Sequence, residues 1–276
     1  MNIRTDTRPP GDDAPAPSRP AGCSPPPVCR GFCRDCGRDH LLLENGARMH
    51  CLELMAHFRR HGSIDLTPGA TRSDPRLATD WLYGEARGKM FGVLECLDRD
   101  GSIVVLRAFS GQYGGLWEVD GWAPPLFDSR ELEEISAAVE KEIKRLGREM
   151  AKTTDPELRV GLRRQRRQLS RDLMRRIHGL YRLTNFHGNT ASLTAAFAGS
   201  GGIPTGTGDC CAPKLLNLAA RRGLIPLGMA EFYWGRNNRS ASREEGRFYP
   251  SCQDKCQPIL GFLLCGLHDH VHDHAA

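Results

Sequence analysis

The sequence predicts an α+β protein: a mixed or antiparallel sheet with flanking helices, interrupted by a long antiparallel helical hairpin. Three observations carry this. Apolar residues alternate or run continuously over 89–96 and 102–109, as strands do. From Asp128 to about Leu183 they recur every three or four residues in a highly charged background. Helical and strand-like periods then alternate again up to about residue 267. A chain of 276 residues is long enough to bury a full core around such a sheet.

Residues 1–28 are proline-rich, have little apolar surface to bury, and read as a disordered leader without the apolar stretch of a signal peptide. The next segment, "CRGFCRDCGRDHLLLENGARMHCLELMAHFRRHG", ends in a helix. Met49, Cys51, Leu52, Leu54, Met55 and Phe58 set its period, and Gly62 stops it. Residues 66–87 are polar and irregular. "KMFGVLEC" and "SIVVLRAF" then flank Leu97-Asp-Arg-Asp-Gly101, a hairpin signal, and "LWEVDGW" reads as a third, weaker strand of a half-buried meander.

In the helical region, Asp128 is placed to cap a first helix with the stripe Leu132, Ile135, Val139, Ile143, Leu146 and Met150. Asp155 and Pro156 open a second, with Leu158, Leu162, Leu169, Leu173, Ile177 and Leu180. Two amphipathic helices with so short a joint fold back on one another, coiled-coil fashion. Beyond them, "TASLTAAF" suggests a short helix, "GTGDCCAPKLLNLAA" opens another, "LIPLGMAEFYWG" is a buried strand and "SCQDKCQPILGFLL" a last helix. The tail "HDHVHDHAA" is low-complexity. The expected organisation is therefore a leader (1–28), an α+β body (29–127 and 185–267), a hairpin insertion (128–184) and a histidine-rich tail (268–276). No apolar run approaches the length of a membrane span, and a cytoplasmic location without membrane association is the expectation.

Eleven cysteines in a cytoplasmic chain are not expected to be disulfides, because that compartment keeps thiols reduced. Burial as small hydrophobes and metal ligation remain. Cys210, Cys211, Cys252 and Cys256 form one candidate zinc group. On a helix, Cys252 and Cys256 would stand one turn apart on one face, and Cys210 or Cys211, at the mouth of another helix, would complete a three-thiolate site with an open fourth position. Cys33 and Cys36, with His40 and His50, form a second and weaker candidate of structural type, Cys29 and Cys51 being spare.

The order helix, hairpin, helix with cysteine, strand, helix with a cysteine pair resembles that of zinc-dependent nucleobase deaminases. Those carry a glutamate two positions after the first ligand and a Pro-Cys-x-x-Cys helix. Here Ala212 or Pro213 stands where the glutamate would be, the pair is separated by three residues, and Ser251 intervenes after Pro250. Asp209 or Glu231 could take over the proton shuttle at a metal-bound water only if the fold brings one of them to the metal.

The second hairpin helix carries Arg159, Arg163, Arg164, Arg166, Arg167, Arg171, Arg175 and Arg176 against only Glu157 and Asp172. Some of this charge is expected to pair with Glu133, Glu134, Glu140 and Glu142 across the hairpin. The surplus suits phosphate contacts along RNA or DNA.

Taken in order, "GKMFGVLEC", "LRAFSGQYGGLWEVDGWAPPLFD", "YRLTNFHGNTASLTAAF", "GTGDCCAPKLLNLA", "GLIPLGMAEFYWG" and "FYPSCQDKCQPILG" resemble the long N-terminal extension of certain bacterial RluA-type pseudouridine synthases, from about residue 30 to 265. The arginine-rich hairpin matches a helical insert in the same place. The resemblance implies association with rRNA modification, RNA as partner and a separately encoded synthase as a further one. It implies no isomerase activity here: the Arg-Leu-Asp motif of the synthase domain is absent, and "YRLT" at 181–184 has threonine where the catalytic aspartate would stand.

Overall fold

The computed structural model describes residues 29–67 and 74–267. The expected leader, the histidine-rich tail and six residues at 68–73 lie outside them.

A four-stranded antiparallel sheet organises the body. β3 (Lys89–Leu97) and β4 (Ile103–Phe109) are the expected hairpin, and β7 (Ile225–Trp234) pairs with the other edge of β3, followed by the short β8 (Phe248–Tyr249), giving the order β4-β3-β7-β8. Two smaller hairpins join it: β1 (Cys29–Cys33) with β2 (Arg38–Leu42), and β5 (Arg182–Thr184) with β6 (Thr190–Ser192). Every named strand pair is antiparallel, and no parallel pair mixes the sheets among the described residues.

The central strands are covered on both faces, where a half-buried meander was expected. On one face lies α1 (Ala47–His61), which ends at Gly62 in the left-handed conformation that glycine adopts without cost. Its Leu54, Met55 and Phe58 pack with Phe91, Phe109, Tyr113, Trp122, Phe232 and Trp234 in an aromatic core. Met49 and Leu52, placed by period on the same stripe, instead stay exposed. On the other face lie α5 (Cys211–Arg222) and α6 (Gln257–Leu264), with Leu94, Cys96, Leu215, Leu216, Ile259 and Leu263 at the centre of a second core. α4 (Leu193–Ala196) is a single turn beside them.

The run "LWEVDGW" forms no strand. Left-handed glycines at 114 and 115 turn the chain at an isolated Tyr113–Leu116 bridge. Its far end is held at two single points and not by a ladder: Trp122 Nε1 donates to the Ile64 carbonyl, and the Ala123 amide donates to the Arg107 carbonyl of β4.

The helical hairpin forms as expected, with α2 (Ser129–Lys152) packed on α3 (Pro156–Leu180). Asp128 accepts from the amides of Arg130 and Glu131, and Asp155 from those of Glu157 and Leu158, so both helix starts are capped by carboxylates. The insert ends at Leu180, since 182–184 belong to β5. The Arg182 amide donates to the Leu126 carbonyl at 2.8 Å, which holds the two roots of the hairpin side by side.

Candidate metal centres and basic groove

Two groups of side chains are placed to hold a metal ion. In each, the ligand atoms all lie within 4.8 Å of one another. The first comprises Cys33, Cys36, His40 and Cys265. Cys33 ends β1, Cys36 lies in the turn, and His40 faces back from β2. Gly37 makes this turn possible: its φ is +68°, and its amide donates to the Cys33 carbonyl at 3.0 Å. Cys36 Sγ and His40 Nε2 are 3.1 Å apart. Cys265 arrives from far along the chain as the C-terminal cap of α6. Close backbone packing brings it there, because Gly31 of β1 and Gly261 of α6 meet with no room for a Cβ on either.

His50 does not join this group. It lies on α1, where its ring nitrogens face Glu53 at 3.1 Å and Glu95 at 3.5 Å. The spare candidates are also turned elsewhere. Cys51 Sγ donates to the Ala230 carbonyl across the sheet, and burial pushes both its thiol and that of Cys29 far up.

The second group comprises Cys210, Cys252 and Cys256. Cys210 is the N-terminal cap of α5 and Cys256 that of α6, so two helix starts converge. Cys252 and Cys256 do not share a helical face. They bracket a turn closed by the Gln257 amide donating to the Cys252 carbonyl at 3.0 Å. The amides of Lys255 and Cys256 support the Cys252 sulfur, and hydrogen bonds from Cys210 and Cys256 pull its thiol well below the ordinary range. The Cys210 thiol is raised correspondingly, Cys252 being the first cause. Neighbouring helical positions point about 100° apart. Cys211 accordingly faces the sheet, its sulfur 3.5 Å from the Met90 carbonyl and 3.6 Å from that of Ala108, and is not a ligand. Gly92 makes room for it: a Cβ there would stand 2.7 Å from the Cys211 Cβ.

The two acidic candidates flank this group. Asp209 accepts from the Tyr181 hydroxyl at 2.7 Å; burial holds its carboxyl above the ordinary range, opposed by Tyr181, Lys214 and Lys255. Glu231, in the centre of β7, is 3% exposed. Ser251 donates to it at 3.0 Å and the Ala212 amide also reaches it, while burial pushes it up to about 7. Glu231 is thus bonded to Ser251, the residue before Cys252, and it is not among the clustered ligands.

A groove of about 790 Å³ runs along α3. Arg163, Arg166, Arg167, Arg171 and Arg175 line it, with Gly202 and Ile203 opposite and no carboxylate among the lining residues. Arg159, Arg164 and Arg176 do not line it; Arg159 donates to the Thr153 carbonyl at the hairpin turn. The expected pairing across the hairpin does not occur among the described residues. Ion pairs stay within each helix, Lys144 with Glu140, Arg145 with Glu142 and Glu149, and Arg175 with Asp172, because i,i+3 and i,i+4 neighbours are nearest. Met174 and His178 border both this groove and a larger cleft of about 1220 Å³ at the hairpin base, which reaches Trp117, Phe127, Tyr181 and Asp209. The arginine groove therefore borders the cleft that Asp209, the residue before Cys210, helps to line.

Sequence reasoning missed Cys265, Ser251 and Lys214. Cys265 lies more than two hundred residues from Cys33, so no spacing could signal it. Lys214 of α5 is only 1% exposed, and nothing in its local sequence singles it out.

No helix of the described residues is long and apolar enough to cross a membrane. No protein-family model, no curated protein and no solved structure matches this chain.

Proposed function

We propose that this chain is an RNA-binding module acting beside an RNA-modifying enzyme, with the arginine groove of α3 holding backbone phosphates. The observation that carries this reading is a concave stripe of five arginines with no carboxylate in its lining. Four of them, Arg163, Arg166, Arg167 and Arg171, have no ion-pair partner among the described residues, so their charge is available to a ligand. Guanidinium groups at successive turns of one helix match a polyanion better than an isolated anion. The resemblance to the extension of RluA-type pseudouridine synthases narrows the partner to rRNA and a separately encoded synthase. No Phe, Tyr or Trp is among the described residues that line the groove, and His178 is its one ring, so recognition rests on backbone charge and shape more than on base stacking.

The test is the salt dependence of binding to a labelled rRNA stem-loop. Four phosphate contacts, one for each unpaired arginine, give a slope of log K against log salt of about −3.6, or roughly 150-fold weaker binding between about 50 and about 200 mM. Replacing Arg163, Arg166, Arg167 and Arg171 by glutamine is expected to remove most of that slope. Binding that is insensitive to salt, or unaltered in the variant, refutes the reading.

A second reading is a zinc-dependent hydrolase of nucleobases or nucleosides, with Cys210, Cys252 and Cys256 as ligands. It is favoured by the absence, among the described residues, of a fourth ligand within the same reach, and by the cleft that ends on Asp209. The zinc would lower the pKa of a bound water. Protein with no zinc at this site, or zinc-loaded protein that converts no cytidine or adenosine and is unaffected by Asp209→Asn and Glu231→Gln, excludes it.

A further inference from the structure

We propose that Cys33, Cys36, His40 and Cys265 bind a zinc ion as a closed, purely structural centre, independent of the three-cysteine group, that pins the β1–β2 turn to the end of α6. Four soft or borderline ligands already converge, and zinc takes four such ligands tetrahedrally with sulfur near 2.3 Å and nitrogen near 2.0–2.1 Å. Tetrahedral bonds of that length set neighbouring sulfurs about 3.8 Å apart, so ligand atoms that already lie within 4.8 Å of one another need draw in by only about 1 Å. On binding, each of the three thiols releases its proton, and the imidazole donates the Nε2 lone pair that already faces Cys36 Sγ. The centre then carries one net negative charge. The Arg38 amide supports the Cys36 sulfur, and the Arg38 side chain supplies a neighbouring positive charge.

Its placement says what it is for. β1 and β2 are five residues each, form a separate two-stranded sheet, and have little core of their own. Two-stranded hairpins of this size are marginal in water. The hairpin is held by the glycine-to-glycine contact of Gly31 with Gly261 at one point and by the Cys265 corner at another. Three ligands belong to the hairpin and one to α6, so a single ion closes a link between segments more than two hundred residues apart. No position is left for substrate or water, which separates this centre from a hydrolytic one.

Cys36 provides the test, because it is the exposed member of the group. In the full chain as purified, it is expected to react with iodoacetamide at least about tenfold more slowly than after treatment with a strong chelator, a change read by peptide mass mapping. Native mass spectrometry is expected to show one zinc fewer in Cys265→Ser and no loss in His50→Ala. Cys210→Ser is expected to retain the zinc that shields Cys36. Cys36 reacting equally fast before and after chelation would overturn the proposal. So would an intact mass two hydrogens light, the sign of a disulfide within the group, or zinc lost from His50→Ala while Cys265→Ser keeps it. The alkylation measurement needs no variant, so it stands even where a substitution impairs folding.

Discussion

Lys214 of α5 is buried against Trp117, a residue of the cleft wall, and replacing it by methionine has a consequence that can be calculated. Its ammonium group donates to the carbonyls of Phe109 at 3.0 Å and Gly111 at 2.8 Å, beneath the faces of Phe109 and Trp117. Gly111 in turn donates its amide to the Asp209 carbonyl, so this lysine ties the wall of the cleft to the start of α5. Burial lowers its pKa from the ordinary 10.5 to about 8. At about 1.4 kcal/mol per tenfold change, the charged form is about 3 kcal/mol more costly in the fold than in the unfolded chain.

The sign follows from proton counting. Below pH 8 both states carry the proton and the cost is fully present. Between pH 8 and pH 10.5 the unfolded chain keeps a proton that the folded one has released, so the free energy of unfolding rises with pH. From pH 7 to pH 10 this one group adds about 2.5 kcal/mol of stability. The neutral amine keeps two N–H groups, one for each carbonyl. Methionine has neither, and each orphaned carbonyl costs about 1–3 kcal/mol. Urea unfolding of both proteins at pH 7 and pH 10 gives the gap between them. That gap is expected to widen by about 2.5 kcal/mol in favour of the wild type, since every other titrating group, the cysteines included, is common to both. A gap that stays constant would show that Lys214 is not buried as described.

Glycine substitutions test the packing that sets up the four-ligand corner. Gly261→Ala drives a methyl group into the Phe32 and Cys33 backbone, and a loss of about 3 kcal/mol or more is expected in thermal unfolding. Gly161→Ala meets nothing within 4 Å inside α3. It is expected to stabilise the hairpin by about 0.5–1 kcal/mol, read as an increase in helical circular dichroism at high temperature.

Local chemistry was legible in the sequence wherever a single segment decides its own conformation. The left-handed stop at Gly62, the turn before Gly101 and the carboxylate caps at Asp128 and Asp155 each depend on a few adjacent residues, and each is present. Convergence of distant segments was not legible. His50 looked like a ligand because it follows His40 closely, yet it belongs to a helix on the opposite side of the sheet from α6. Cys265 caps the end of the apolar helix α6, with no other candidate ligand near it in sequence to mark it. Cys211 and Cys210 could not be told apart until the direction of α5 fixed which sulfur faces the sheet. The alternation in "LWEVDGW" satisfied the strand rule, but the left-handed Gly114 and Gly115 turn the chain ahead of it, and only a single backbone bond, Ala123 to Arg107 of β4, ties its end to the sheet.

The adjacent roots of the helical hairpin have a bearing beyond stability. Because Leu126 and Arg182 are already joined by a backbone hydrogen bond, the body experiences everything between them as one long excursion from a single point. Such an arm can lengthen, shorten or change its charge with little effect on the layers beneath it. Selection can therefore tune the reach and grip of the arginine rod separately from the cysteine-bearing body, as a tool is changed without rebuilding its handle.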